Sequence, residues 1–314
     1  MSDIAVFGSL NMDLVVRVPR VPDAGETLQA HSFMTNPGGK GANQAVACAR
    51  QGARVAMVGR VGDDAFGQAL TASLAGDAIE TRHVATAPAS TGVALIMVDD
   101  GAQNRISLIP GANACVGEED IARLQDDLAT ARVLLLQLEV PMDSVLKAAT
   151  LAHAKGCSVV LNPAPAQALP EALWGLVDML VLNETEAALL CGFAVDGIAG
   201  AALAAEALHR RGPPHVILTL GGQGVVACDA AGCRHFAALK VNAVDTTAAG
   251  DTFIGALCAA RARGEPLDAS IALGIQAAAL CVTRAGAQAS IPHRAELQSL
   301  ASVDRPRSVS LSPA

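Results

Sequence analysis

The sequence predicts an α/β fold: a mainly parallel central sheet covered by helices on both faces, with a small second sheet set into it. Three observations predict it. Short runs that are apolar throughout recur along the chain: "IAVFGSL" (4–10), "RVAMVG" (54–59), "VLLLQLEV" (133–140), "CSVVLNP" (157–163), "DMLVLNE" (178–184) and "HVILTLG" (215–221). Helical patterns separate them, and strands apolar on both faces alternating with helices indicate a doubly covered parallel sheet. Two early regions break the alternation. "DLVVRVP" (13–19) and "ETLQAHSFMTN" (26–36) read as strands with no helix between them, and "GVALIMVDDGAQNRISLIPG" (92–111) reads as a hairpin turning at Asp99-Asp100-Gly101.

The elements follow in order. The strand at 4–10 leads into the strand-like segments of about 13–36, one half of the small inserted sheet. Ala42, Ala45, Val46 and Ala49 then stand at helical spacing and stop at Gly52. After the strand at 54–59, Phe66, Leu70 and Leu74 mark the next helix, and residues 92–110 give the other half of the inserted sheet. The remaining apolar strands end in Asn162, Asn183, Glu184 and Gly221-Gly222, where open α/β sheets place their ligands. Residues 1–301 read as one domain, and 302–314, "SVDRPRSVSLSPA", as a disordered tail.

Composition narrows the function. Of 314 residues, 52% are apolar and 17% charged, enough for a large core. The net charge is −8 with no basic cluster, and six Phe, one Trp and no Tyr leave no aromatic platform. Neither nucleic acid nor an anionic membrane is expected as a partner. No apolar run is long enough to span a bilayer, and the N-terminus reads directly as a strand rather than a cleavable signal. The eight cysteines form no CxxC pair and sit mostly among Ala, Val and Leu, as reduced, buried thiols do. The expected location is the cytoplasm. The seven His form no HxH or HxxxH, so no His/Cys metal site is expected.

Two common nucleotide fingerprints, GxxxxGK[ST] and GxGxxG, are absent. Two other glycine-rich stretches open helices: "NPGGKGANQ" (36–44) and "TAAGD" (247–251). In the second, small residues let an anion approach the backbone, and the helix N-terminus supplies N–H groups and partial positive charge. Asp251 beside such an anion repels it, so it cannot be its partner. It can take the proton from a hydroxyl that attacks a phosphoryl group held there. A carboxylate in a first helical turn is also an ordinary cap.

In order along the chain come "GSLNMDLVVRVPRVPDAGET", "GGKGANQAVACARQGARVAMVGRVGDD", "STGVALIMV", "LLLQLEVP", "LNPAPA", "LNETEA", "TLGGQGV" and "VDTTAAGDTFIGAL". Together they resemble the PfkB family of sugar and nucleoside kinases, and within it the ribokinase group, over nearly the whole chain to about residue 293. The resemblance implies a ribokinase-like three-layer sandwich with a small β-sheet lid. It implies transfer of the γ-phosphate of ATP to the 5-hydroxyl of D-ribose, with Asp251 as general base. Asn11, Asp13, Gly39, Lys40, Asn43 and Glu139, with Asp251, would hold the sugar; carboxylates and amides suit a ring of hydroxyls. Asn183, Thr219, Gly221 and Gly224 would hold the nucleotide, and Ala248, Ala249, Gly250 and Asp251 would offer N–H groups to its phosphates.

The resemblance further implies Mg²⁺ organised through water by Glu186. It implies K⁺ held by the Asp245 carboxylate, the Ser290 hydroxyl and the carbonyls of Thr247, Cys281, Arg284 and Gly286. It implies a homodimer joined through the lids by Leu14, Val16, Val93, Leu95 and Met97. Ala248 stands where relatives commonly have Gly and is expected in an ordinary backbone conformation. Ile275-Gln276 falls where relatives often carry His or Asn against the adenosine. Two rival readings stand beside this one. A nucleoside kinase would show more apolar or aromatic residues on the lid, and a non-catalytic sugar-binding protein would need no base.

Overall fold

The computed structural model describes residues 2–101, 103–299 and 306–311. The chain begins β1 (Ile4–Phe7), β2 (Asn11–Arg17), β3 (Ser32–Gly38), α1 (Lys40–Arg50), β4 (Val55–Gly62), α2 (Ala65–Gly76) and β5 (Glu80–Ala87). It continues β6 (Gly92–Val98), β7 (Asn104–Ile109), α3 (Glu118–Asp127), β8 (Val133–Leu136), α4 (Met142–Ala154), β9 (Ser158–Leu161), α5 (Glu171–Trp174), β10 (Met179–Asn183) and α6 (Glu184–Cys191). The last part is α7 (Gly197–His209), β11 (His215–Thr219), β12 (Val225–Asp229), β13 (Gly232–Phe236), α8 (Ala249–Ala262), α9 (Leu267–Cys281), α10 (Arg294–Ser299) and β14 (Ser308–Ser310).

The main sheet runs β14-β13-β12-β11-β10-β9-β8-β1-β4-β5. From β5 to β11 every neighbouring pair is parallel; β12, β13 and β14 add an antiparallel edge. Alternate residues of each buried strand enter different cores, which is why the runs are apolar on both faces. Phe7, Leu134 and Leu136 join one core with α4 and α7, while Val6, Val133 and Leu135 join the other with α1 and α8. In the second core α1 and α8 touch closely. A Cβ on Gly255 would stand 2.3 Å from Ala47 Cβ and 2.9 Å from Gln44 O, so only glycine lets α8 lie this near α1.

The small sheet runs β3-β2-β6-β7, with β2 and β6 parallel and the outer pairs antiparallel. The β6–β7 hairpin forms as expected. The 26–36 strand is shorter than its pattern suggested: only Ser32 onward pairs. Before it, residues 20–26 form a turn in which Glu26 accepts from Asp23 N–H and pairs with Arg20. The tail also departs from expectation. Ser308–Ser310 pairs with Arg234–Phe236 as β14, because β13 would otherwise expose an unpaired edge. Residues 302–305 and 312–314 of that tail lie outside the described residues.

Candidate active site

The site forms where the small sheet meets the carboxyl ends of the parallel strands. Asn11 and Asp13 sit on β2, just beyond the end of β1, and both are buried. Glycines let the turn into α1 lie against them. A Cβ on Gly38 would come 2.3 Å from Asp13 Oδ2; Gly39 has φ +88°, and its Cβ would come 2.7 Å from Asn11 N. Glu139, just after β8, ties this corner together. Its Oε2 accepts from Ser9 Oγ at 2.5 Å, Lys40 N at 3.0 Å and Asn11 Nδ2 at 3.3 Å. Asn113 Nδ2 donates to Asn11 Oδ1 at 2.7 Å and so fixes which way the Asn11 amide faces. Burial pushes the Asp13 carboxyl up to about 7, and Glu139 and Asp251 add to it as like charges.

Asp251 lies in the first turn of α8, buried against α1. Asn43 Nδ2 donates to its Oδ2 at 3.0 Å and Gln44 Nε2 to its Oδ1 at 2.9 Å. Asn43 Oδ1 is buried without a partner, an acceptor suited to a ligand hydroxyl. Burial works against the charge on Lys40, but Asp251, Glu139 and Glu186 together outweigh it and hold the ammonium above its ordinary pKa.

Ala248, the residue before α8, has φ 59° and ψ 9°, the left-handed conformation, not the ordinary one expected. An Ala there costs about 1–2 kcal/mol. That turn ends the incoming loop and starts the helix at once. The first α-helical hydrogen bond is Thr252 N–H to Ala248 O, at 2.8 Å. The N–H groups of Gly250 and Asp251 precede it and point along the axis, while Ala249 N–H is turned to Thr246 O at 3.2 Å.

Two adjoining cavities open here. One of about 240 Å³ is lined by Lys40, Asn183, Glu186, Ala248, Gly250 and Asp251. Lys40 thus borders this cavity at the helix end, while its backbone N–H donates to Glu139. The other, about 630 Å³ and largely apolar, is walled by Gly221, Gly224, Val225, Leu239, Phe253 and Ile275; Thr219 borders both. Ile275 faces this cleft, whereas Gln276 lines a separate cavity beside Arg263 and Arg294. Asn183 caps α6 in a mutual pair with Glu186, whose carboxylate accepts from Asn183 N–H at 2.9 Å. Burial raises the Glu186 pKa, against the hydrogen bond from the Asn183 backbone and the charge of Lys40.

The segments around Asp245 and Ser290 also meet. Asp245 Oδ1 accepts from Thr247 N at 2.9 Å and Thr247 Oγ1 at 2.6 Å, and Oδ2 from Gly286 N at 2.9 Å. Burial acts to raise the Asp245 carboxyl, but these hydrogen bonds win and its pKa is lowered. Ser290 Oγ is buried, 3.0 Å from Cys281 Sγ and 2.7 Å from Ala287 O. The Arg284 side chain turns away to Glu296.

Sequence reasoning placed Asn162 at a strand end facing the site, but missed Ser9, Asn113, Gln44 and Gln137 as parts of its framework. The signal for Gln137 was legible: an amide inside the apolar run "VLLLQLEV" must be buried and bonded.

This corner lies at a helix end, and no glycine-rich P-loop sequence is present. The model of the "pfkB family carbohydrate kinase" matches residues 1–294, and the chain belongs to that family. Among known relatives, the ribokinase of Haemophilus influenzae is 42% identical over 294 residues, covering 93% of this chain and 96% of that one. The deoxyribokinase of Salmonella typhi is 39% identical over 292 residues, covering 92% and 95%. The structure of Arabidopsis thaliana ribokinase complexed with ribose and ATP matches with a TM-score of 0.88 at 30% identity, covering 95% and 98%. Among the described residues, no helix is long and apolar enough to cross a membrane, and every described cysteine is free.

Proposed function

We propose that this protein transfers the γ-phosphate of ATP to the 5-hydroxyl of D-ribose. The observation that carries the reading is the placement of Asp251. Its carboxylate lies on the same helix end as the N–H groups of Gly250 and Asp251, with Asn43 bonded to it and Asp13 nearby. Several hydroxyls can be held at that corner, by the Asp13 carboxylate, Asn43 Oδ1 and the amides. Asp251 takes the proton of the 5-hydroxyl as its oxygen attacks the γ-phosphorus. The bond from that phosphorus to the bridging oxygen breaks, and ADP leaves with the electron pair. The helix-end N–H groups and the Lys40 ammonium stabilise charge on the transferring group. The larger, apolar cleft suits the nucleoside part of ATP.

The residues present fit the two implied cations. Glu186 lines the phosphate cavity but spends its carboxylate on the Asn183 cap, which suits an indirect contact through water. Mg²⁺ bound with ATP would screen the phosphate charges. Near Ser290, one carboxylate, one hydroxyl and backbone carbonyls on two linked loops form a donor set suited to a large monovalent cation. K⁺ held there would steady the 245–250 loop, so Asp245, Thr247, Cys281, Arg284, Gly286 and Ser290 are its proposed ligands. Assembly as a dimer is supported by the lid. The strand pairing puts Leu95 beside Leu14, and Met97 beside Val16 and Phe33, on the face opposite Asp13. Phe33 and Leu95 are 63% and 47% exposed there.

The test is ADP release with ATP and D-ribose, 2-deoxy-D-ribose, D-fructose and adenosine, followed by phosphorus NMR of the product. Fastest turnover with ribose is expected, giving a phosphomonoester coupled to the C5 methylene protons. Preference for 2-deoxyribose would move the assignment to the deoxyribokinase activity, and preference for adenosine or fructose would overturn it.

A further inference from the structure

Gln44 has no part in the reading above, yet it is fully buried beside the reacting group. Its Nε2 donates to Asp251 Oδ1 at 2.9 Å and to Asn162 Oδ1 at 3.2 Å. Its Oε1 accepts from Gln137 Nε2 at 2.6 Å. Three elements thus converge on one carboxylate: α1 carries Gln44, the end of β8 leads into Gln137, and the end of β9 leads into Asn162.

The sense of this amide chain is fixed from its ends. The Val181 carbonyl can only accept, so Asn162 must present Nδ2 to it, at 3.0 Å, and Oδ1 to Gln44. Gln44 must then present its NH₂ to Asn162 and to the Asp251 carboxylate. Its oxygen faces Gln137, which must answer with Nε2. The chain can therefore deliver only donors to Asp251 Oδ1. Those donors hold one carboxylate oxygen in place while the other is oriented by Asn43.

Gln137 is placed for this at a disadvantage to folding. Its Oε1 is buried with no partner, and Gly8, just past the end of the neighbouring strand β1, must lack a side chain to admit it, since a Cβ there would stand 2.1 Å from that oxygen. An apolar side chain of the same length would avoid the unpaired acceptor. What the amide adds is its donor to Gln44.

We propose that Gln44, itself held by Gln137 and Asn162, is a positioning residue that holds the Asp251 carboxylate aimed at the sugar hydroxyl. The proposal rests on Asp251 being the base. The charged groups near Asp251 are Lys40 from α1, Asp13 from the lid, Glu139 beyond β8 and Glu186 from α6, and none is altered by the substitutions below.

The experiment measures kcat at saturating ribose and ATP, with Kd for each ligand and Tm, for wild type, Gln44→Met and Gln137→Met. Losing a hydrogen bond to a charged group lowers a rate by roughly 10- to 150-fold. Gln44→Met should therefore lower kcat by about tenfold or more, with ligand Kd unchanged. Gln137→Met should do the same in smaller measure while Tm changes little, because it removes one unpaired acceptor and leaves another, Gln44 Oε1. Should Gln44→Met fail to fold, Gln44→Glu keeps the shape and withdraws the donor, with the same split between kcat and Kd expected. A kcat within about twofold of wild type in these variants overturns the positioning role. A Tm loss with an unchanged kcat makes Gln44 structural only, and also overturns it. Activity retained in Asp251→Asn would instead remove the base itself, a separate failure.

Discussion

Protonation of Asp13 should control sugar affinity near neutral pH. Burial, reinforced by Glu139 and Asp251, brings its carboxyl to about 7 in the sugar-free protein, from 3.8. Sugar hydroxyls donate to the ionised form, so binding ribose must release the proton that Asp13 still holds. With a pKa of 7, about one-eleventh of Asp13 is ionised at pH 6 and about ten-elevenths at pH 8. Ribose should therefore bind roughly tenfold more tightly at pH 8 than at pH 6, releasing about half a proton at pH 7. Calorimetry in two buffers of different ionisation enthalpy reads both quantities, and Asp13→Asn should bind weakly and without this pH dependence. Stability has the opposite sign. Between 3.8 and about 7 the folded chain binds more protons at Asp13 than the unfolded chain, so stability falls as pH rises through that window. The gap corresponds to a ceiling of about 4 kcal/mol above pH 7. Without sugar, the Tm advantage of Asp13→Asn over wild type should widen from pH 5.5 to pH 8. Wild-type affinity that is flat from pH 6 to 8 would refute the reasoning.

Two further outcomes follow from the loops and the lid. Initial rates at fixed Mg²⁺ and ionic strength should rise when Na⁺ or Li⁺ is exchanged for K⁺, and Asp245→Ala should abolish that response; equal rates in K⁺ and Na⁺ would leave Asp245 as a tie between two loops. Light scattering at micromolar concentration should give a mass near twice 31.7 kDa, and Leu95→Asp with Met97→Asp should return it to that of one chain.

The sheet was legible because its strands are buried on both faces, so an apolar run such as "VLLL" states its own environment. The lid was legible as a break in alternation, although the Arg20–Glu26 turn shortened one strand in a way no periodicity reports. Asp251 could be read from the chemistry of a helix start. How the amides join around it could not, because Gln44 meets Gln137 and Asn162 across 93 and 118 residues of chain. Gln44, between Asn43 and Ala45 on α1, looks locally like an ordinary helical amide, and only the packing of α8 on Gly255 reveals its partner. The left-handed Ala248 was likewise hidden. Its sequence favours the ordinary conformation, and the abrupt start of α8 overrides that preference.

The most direct measurement is the turnover of Asp251→Asn beside its affinities for ribose and ATP. The substitution keeps the shape and one acceptor oxygen for its two amide donors, and removes the base. Turnover should fall by roughly 10²- to 10⁴-fold while both ligands still bind. A variant that keeps more than about a tenth of wild-type turnover would contradict the assignment of Asp251 as the group that activates the sugar hydroxyl.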